Sequence, residues 1–461
     1  MGKLFGTDGI RGKANHHPMT AEVALRIGNA ISSLSTTKDN GLKDGSKPFI
    51  IIGKDTRISG DMLAHSFAAG ACAAGIDVYL AGVLPTPGIS YLTRKMSALA
   101  GIVISASHNP YDDNGIKIFN AHGYKISDQQ ESDIEAIVLG EHPPKKSAPY
   151  FSEMGRVSLM PDASEMYQVF LYQVFLNETG RGKKTLSGIK MIVDCSNGSS
   201  YKIAPVLFKE LGVDIEVINS SPDGKNINQG CGSEHPEQLS KQVVEKKAAI
   251  GLAFDGDADR LIAIDENGHL ISGDQMIAIF ARFMKENGQL KNNTVVTTVM
   301  SNVGLGEYLK YQNIRHVMSD VGDRNVVKEL IENEAILGGE DSGHMVFRNY
   351  HTTGDGLLSA IQLLTIMKKT GKPLSDLSSV MKVYPQILEN VDVTHKPPLD
   401  SIPEIVNCIQ AVEKELGDQG RVLVRYSGTQ AMCRVMVEGP TTDETRKHCD
   451  RISQVVKKML G

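Results

Sequence analysis

Three α/β domains of βαβ type with parallel or mixed sheets, followed by a small α+β domain, are predicted for this chain of 461 residues. Three observations lead there. A strand, polar turn, helix, strand plan recurs three times in stretches of about 30 residues, the size of one βαβ unit. The β-branched runs that open these stretches, Phe49 to Ile52, Met191 to Val193 and Thr294 to Val299, lack the polar alternation of a half-exposed strand, as strands covered on both faces should. After Lys372 the texture changes to proline and serine punctuation, which ends the α/β pattern.

Taken in order, the chain opens with "MGKLFGTDGIRG", where glycines crowd around Thr7 and Arg11. The first repeat is "KPFIIIGKDTRISGDMLAHSFAAGACAAGIDVYLAG", with a small-residue helix between two strands. "GEHPPKKSAPY" then reads as a seam. "KMIVDCSNGSSYKIAPVLFKELGVDIEVIN" is the second repeat, and another seam follows "FDGDADR". The third is "TVVTTVMSNVGLGEYLKYQNIRHVMSD". "GKPLSDLSS" and "THKPPLD" punctuate the last region, and "RVLVRYSGTQAMCRVMVEG" has the alternation and central glycine of a β-hairpin. The expected segments are 1–152, 153–256, 257–371 and 372–461.

Composition excludes several classes. The formal charge of −5 and the lack of basic runs interleaved with aromatics exclude a nucleic-acid partner. The six cysteines show no Cys-x-x-Cys pair, and a chain this long needs no disulfide framework, so they are expected as reduced thiols in a cytosol. No apolar leader and no apolar span of transmembrane length is present, which makes a soluble, unexported, cytoplasmic protein the expectation, with no membrane partner. A monomer and a homodimer fit the composition equally.

Chemistry concentrates in four loops. "ISASHNPYDDNGIK" runs from Ile104 to Lys117 and sets Ser107 beside His108. A hydrolase pair is the first reading. Neighbouring side chains on an extended segment point to opposite faces, and no Gly-x-Ser-x-Gly elbow surrounds the serine, so another role is needed. "GLAFDGDADRLIAID" places Asp255, Asp257 and Asp259 at alternate positions, where three carboxylates on one side call for a cation. An EF-hand would use these three and Glu266, but Arg260 occupies the position that needs glycine and the flanks read as strands. A hard divalent ion such as Mg²⁺ suits oxygen ligands and commonly shares its shell with phosphate. In "RYSGTQ", Arg425 offers a planar fork, Ser427 and Thr429 offer hydroxyls, and Gly428 lets backbone amides approach an anion; a plain hairpin turn would look the same. In "GGEDSGHMVF", Glu340, Ser342 and His344 alternate between glycines, a set suited to sugar hydroxyls and equally compatible with a polar surface turn.

Together "SASHNP", "DGDADR", "GEDSGH" and "RYSGTQ", in this order and one per domain, resemble the α-D-phosphohexomutases along the whole chain. "FGTDGIRG", "VGDR" (321–324) and "TTGDG" (352–356) are most similar to the bacterial members that interconvert glucosamine 6-phosphate and glucosamine 1-phosphate and feed UDP-N-acetylglucosamine synthesis. The alternative within the family is a glucose or mannose phosphate mutase. The resemblance implies a heart-shaped, four-domain architecture with the site in a central cleft that the last domain opens. It implies that Ser107 carries a phosphoryl group, touched by one Mg²⁺ per subunit on Asp255, Asp257 and Asp259. It places His108, Lys117, Arg260 and His344 in the catalytic set, with His344 or Lys117 exchanging the hydroxyl proton. It assigns substrate contacts to Thr7, Arg11, Glu340, Ser342, Arg425, Ser427, Gly428 and Thr429. A sugar 1,6-bisphosphate would be both intermediate and activator. Two departures stand out: Gln430 and Ala431 replace the family's usual Glu-Pro, and position 341 is an acid where an amide is more usual. A phosphatase would have no need of the second phosphate address, and a non-catalytic sensor would have no need of an intact Ser107.

Overall fold

The computed structural model describes residues 4–6, 8–36, 47–143, 153–180, 182, 184–427 and 431–461. Two compact units form, one from Met1–Val299 with Val317–Ser378 and one from Met300–His316 with Ser379–Gly461. Among the described residues the strands make four sheets.

In the first unit, one sheet runs Ile10–Lys13, Asp113–Asn120, Ala100–Ile104, Phe49–Lys54, Asp77–Val83, Val157–Leu159. Phe49–Lys54 is parallel to Asp77–Val83 and Ala100–Ile104, with the helix Gly60–Ala73 between the first two in the chain, as the first repeat requires. The sheet is mixed, because Asp113–Asn120 returns antiparallel and pairs with the N-terminal strand Ile10–Lys13. The helices Ala21–Ala30 and Gly60–Ala73 touch backbone to backbone. A Cβ on Gly28 would meet Phe67 O at 2.0 Å, and one on Gly70 would meet Leu25 O at 1.9 Å. Small residues therefore set this crossing, above a core that includes Ile27, Phe67, Ile50 and Ile102.

The second sheet runs Leu270–Ile271, Leu261–Ile264, Ile250–Phe254, Lys190–Asp194, Asp214–Ile218. Lys190–Asp194 is parallel to both neighbours, and Ile250–Phe254 continues through a tight turn into the antiparallel Leu261–Ile264. In the third sheet Thr294–Thr298 pairs parallel with Leu337–Gly339, which pairs antiparallel with Met345–Phe347. The expected strand Arg315–Ser319 forms beside Thr294–Thr298.

The second unit holds an antiparallel sheet of Gln386–Asp392, Met432–Glu438 and Arg421–Tyr426, the last two being the expected hairpin. Helices Pro403–Leu416 and Thr442–Leu460 cover it through Ile405, Val412, Ile452 and Val456. The helix of the third repeat, Val303–Tyr311, belongs to this unit. Asn302 exchanges hydrogen bonds with the Tyr384 backbone at 2.8 and 3.0 Å, and a Cβ on Gly304 would meet Lys382 O at 1.7 Å.

All six cysteines are free thiols. Among the described residues no helix is long and apolar enough to cross a membrane.

Candidate active site

In the first unit the candidate loops leave the carboxyl ends of parallel strands, the end where open α/β sheets bind ligands. Ser107 follows Ala100–Ile104, Asp255 follows Ile250–Phe254 and Glu340 follows Leu337–Gly339.

Ser107 is buried and has φ of 54°, a left-handed backbone that a serine adopts only when its surroundings enforce it. Its N–H donates to Ser105 Oγ at 3.0 Å. Its hydroxyl donates to Asp255 Oδ2 at 2.5 Å and lies 3.4 Å from His108 Nδ1. The extended-segment argument from the sequence is corrected here, since the left-handed turn brings the two neighbouring side chains to the same side. A Ser-His dyad still does not follow, because the shorter contact belongs to the aspartate. Burial, aided by the Arg260 charge, pushes the His108 imidazole down to about 4, so it is neutral near pH 7.

Asp255, Asp257 and Asp259 each place a carboxylate oxygen within 4.8 Å of the others, and all three are buried. The loop achieves this as a tight turn, with Ala258 at φ of 57°, between the antiparallel strands Ile250–Phe254 and Leu261–Ile264. The flanking helices of an EF-hand are absent, and the Glu266 carboxylate is occupied by Ser375. Burial and the charges of Asp259 and Asp257 push Asp255 well above the usual carboxylate range, a state that a bound cation would reverse. Burial also penalises the Asp257 carboxylate, but Lys117 and Thr86 outweigh it and hold the group below its ordinary range. Lys117 Nζ sits 2.8 Å from Asp257, 3.2 Å from Asp259 and 3.3 Å from Asp8, and Thr86 Oγ1 donates to Asp257 at 2.6 Å. These contacts leave Asp257 Oδ1 and Asp259 Oδ1 buried without a hydrogen-bond partner. Two orphaned anionic oxygens in an oxygen-only set fit a hard divalent cation.

The Lys117 ammonium is fully charged: burial disfavours the charge, but Asp257, Asp8 and Asp259 hold its pKa well above the usual lysine value. Arg260 donates its backbone N–H to Asp255 at 3.2 Å, and its guanidinium is surrounded by Asp255, Asp259, Glu340 and Glu234. Arg11 pairs with Asp8 on the strand next to that of Lys117. Thr7 lies outside the described residues.

The Glu340–His344 loop closes a hairpin, with Glu340 N–H donating to His344 O at 3.0 Å and Gly343 at φ of 88°. It abuts the aspartate loop: Leu261 N–H donates to Gly343 O at 3.0 Å, and a Cβ on Gly343 would meet Leu261 O at 2.1 Å. Ser342 Oγ and both His344 ring nitrogens are buried without hydrogen-bond partners, with Asp323 Oδ2 at 3.8 Å from His344 Nε2. Glu340 accepts from Gly322 N–H at 3.1 Å, so the "VGDR" turn is tied to this loop. Asp341 turns to the start of helix Gly273–Glu286, accepting from Asp274 N–H at 3.3 Å.

In the second unit, Arg425 lies directly across the hairpin from Arg434. Burial and the Arg434 charge both push the Arg425 pKa down. Ser427 N–H donates to Met432 O at 2.9 Å, and its carbonyl accepts from Lys396 at 2.6 Å. Like charges facing each other across strands are unfavourable unless an anion joins them. Gly428, Thr429 and Gln430 lie outside the described residues.

Sequence reasoning passed over Arg57, Thr86, Lys125, Asn228, Lys396 and Arg434, and it gave Asp323 no role beyond its place in "VGDR". Lys125 bridges Asp8 and Asp323, and Arg57 is buried with its guanidinium on Asp55 and on the serine loop. The signal available was local, "GKDTR" at the end of the strand Phe49–Lys54, but its partners in the serine loop lie some fifty residues on.

Comparison with known proteins gives a consistent result. The four descriptions of phosphoglucomutase/phosphomannomutase domains match in order: alpha/beta/alpha domain I over 2–144, domain II over 167–268, domain III over 272–384 and the C-terminal domain over 388–455. A phosphoglucosamine mutase of Syntrophus aciditrophicus (strain SB) is 52% identical over 461 residues, all of both chains. A phosphoglucomutase/phosphomannomutase family protein of Burkholderia thailandensis has the same fold, with a TM-score of 0.77 at 24% identity over 99% of this chain and 97% of that one. So does an Aspergillus fumigatus N-acetylphosphoglucosamine mutase, solved with GlcNAc-6P and magnesium, with a TM-score of 0.69 at 16% identity over 99% and 95%. Ordered loops, carboxyl-end placement and full-length similarity lead to one conclusion: this chain belongs to the phosphoglucomutase/phosphomannomutase family of α-D-phosphohexomutases, in a four-domain architecture.

Proposed function

We propose that this chain is an isomerase that interconverts glucosamine 6-phosphate and glucosamine 1-phosphate, carrying a phosphoryl group on Ser107. The observation that supports it most is the Ser107 hydroxyl, 2.5 Å from Asp255 within the aspartate cluster, in a chain that is 52% identical over its full length to a phosphoglucosamine mutase. The sequence segments 1–152, 153–256, 257–371 and 372–461 are our proposed domains except at the border after 256, which we propose to move past Ile271, because Ile250–Phe254, Leu261–Ile264 and Leu270–Ile271 belong to one sheet around the aspartate loop.

In the forward half-reaction the bond between phosphorus and Ser107 Oγ breaks as one forms to the free hydroxyl of the monophosphosugar. The hydroxyl proton leaves to a base, and a sugar 1,6-bisphosphate results. After the sugar turns end for end, its other phosphoryl group returns to Ser107. A trace of bisphosphate therefore primes the enzyme.

Phosphoryl transfer needs positioning and positive charge around the equatorial oxygens. A Mg²⁺ held by Asp255, Asp257 and Asp259, and touched by an oxygen on Ser107, would supply charge there, one ion per subunit. Arg260 and Lys117 add fixed cations. Lys117 is locked in its charged form by three carboxylates, so it stabilises rather than accepts a proton. His344, with both ring nitrogens lacking hydrogen-bond partners, takes the proton-exchange role, and neutral His108 borders the serine. Glu340 and Ser342 grip the sugar, Arg11 and Thr7 are further substrate contacts, and Arg425, Ser427, Gly428 and Thr429 hold the spectator phosphate. Reduced cysteines fit a cytoplasmic setting.

Peptide mass spectra of the purified enzyme are expected to show one phosphate on Ser107, and Ser107→Ala should lose nearly all turnover. A fully active S107A enzyme would refute the carrier role.

A further inference from the structure

We propose that Arg57 and Asn228 are positioning residues for the transfer at Ser107, an inference that rests on reading Ser107 as the phosphoryl carrier. Both side chains span the same two carbonyls. Arg57 Nη2 donates to Ser107 O at 2.9 Å and Asn109 O at 2.8 Å. Asn228 Nδ2 donates to Ser107 O at 2.9 Å and Asn109 O at 3.0 Å.

The two arrive from different sheets. Arg57 follows the strand Phe49–Lys54 and is fixed by Asp55 at 2.8 Å. Asn228 lies in the loop after Asp214–Ile218, anchored by its own N–H on Ser196 O at 2.9 Å. With both lone pairs of the Ser107 carbonyl taken, the peptide plane after the serine cannot rotate. Holding that plane stops rotation about the Cα–C bond of Ser107, so the serine cannot relax from its left-handed φ of 54°, the backbone from which its hydroxyl reaches Asp255. The aspartate loop presses on the same carbonyl: a Cβ on Gly256 would meet Ser107 O at 2.6 Å and Asn228 Nδ2 at 2.9 Å. The clamp thus joins the serine loop, the aspartate loop and the 219–231 segment at one peptide group. Neither side chain reaches the reacting atoms, so each acts through the serine's backbone.

The test measures kcat, KM and thermal midpoint for N228A, N228D and R57K, with S107A alongside, using glucosamine 6-phosphate, Mg²⁺ and a hexose 1,6-bisphosphate primer. Asn228 is partly exposed, so its variants should fold. Aspartate keeps the shape of asparagine but presents oxygens to two carbonyl oxygens. A displaced nucleophile costs rate rather than binding, so kcat should fall about 10-fold in N228A and about 100-fold in N228D, with KM within about twofold and the midpoint little changed. R57K should also lose kcat, since an ammonium cannot reproduce the fork that grips Asp55 and the carbonyls together. Wild-type kcat in N228D beside an inactive S107A would overturn the clamp alone, as would a loss confined to KM. Turnover in S107A would remove the carrier, and the clamp with it.

Discussion

At the scale of single residues, the chemistry depends on buried charges that compensate one another. Lys117 balances Asp257, Asp259 and Asp8, yet two carboxylate oxygens stay unpartnered. Asp257→Asn or Asp259→Asn removes an anionic donor from that set. Calorimetric titration with Mg²⁺ should show affinity reduced by about 10-fold or more in either variant, and unchanged affinity would return the cluster to an acidic turn. An amino sugar carries an ammonium that either of the adjacent acids Glu340 and Asp341 could meet by charge, but Asp341 serves the start of helix Gly273–Glu286. Asp341→Asn should leave the ratio of kcat/KM for glucosamine 6-phosphate over glucose 6-phosphate unchanged, while Glu340→Gln should lower it by about 10-fold, the worth of one partly desolvated charged contact. The opposite pattern would reassign the discriminating acid. Ser107, the three aspartates, Arg260 and the Glu340–His344 set were legible because each sits in a short motif. Arg57, Asn228 and Arg434 were not, because single polar residues acquire meaning only from partners brought close by folding.

At the scale of elements, strand ends and helix starts place the loops. Helix Gly356–Thr370 begins where Asp355 accepts from Leu358 N–H at 2.9 Å and from Tyr167 at 2.7 Å, and Gly356 N–H donates to Ala258 O of the aspartate loop at 3.1 Å. Burial pushes the Asp355 carboxyl up to about 7 despite these donors. The folded state therefore holds this proton more tightly than the unfolded chain, so the stability it confers is complete below about pH 4 and is lost as pH rises to about 7. The thermal midpoint should fall between about pH 5 and about pH 7.5, and less steeply in D355N, since asparagine also caps a helix but does not titrate. Equal slopes would show that another group sets the dependence. Strand-helix-strand order was readable from buried β-branched runs, and the hairpin Arg421–Glu438 from alternation. The grouping of Val303–Tyr311 with the second unit was not readable, since it rests on partners such as Asn302 and Tyr384, 82 residues apart in the chain; the antiparallel return of Asp113–Asn120 onto Ala100–Ile104 is local, but it falls inside the stretch read only as a catalytic loop.

At the scale of the whole molecule, the four candidate loops fall one in each of the four matched domains, and no single loop would suffice as a mutase. A serine beside a metal-fitting cluster could serve hydrolysis; an isomerase additionally requires a second phosphate address, the role proposed above for the hairpin end where Arg425 faces Arg434. Phosphorus NMR of glucosamine 6-phosphate incubated with wild-type enzyme and S107A, each with Mg²⁺ and a trace of sugar 1,6-bisphosphate, tests this account most directly. Wild-type enzyme should build up glucosamine 1-phosphate with no inorganic phosphate beyond the blank, and S107A should leave the spectrum unchanged. Inorganic phosphate as the main product, or the same conversion by S107A, would contradict the account.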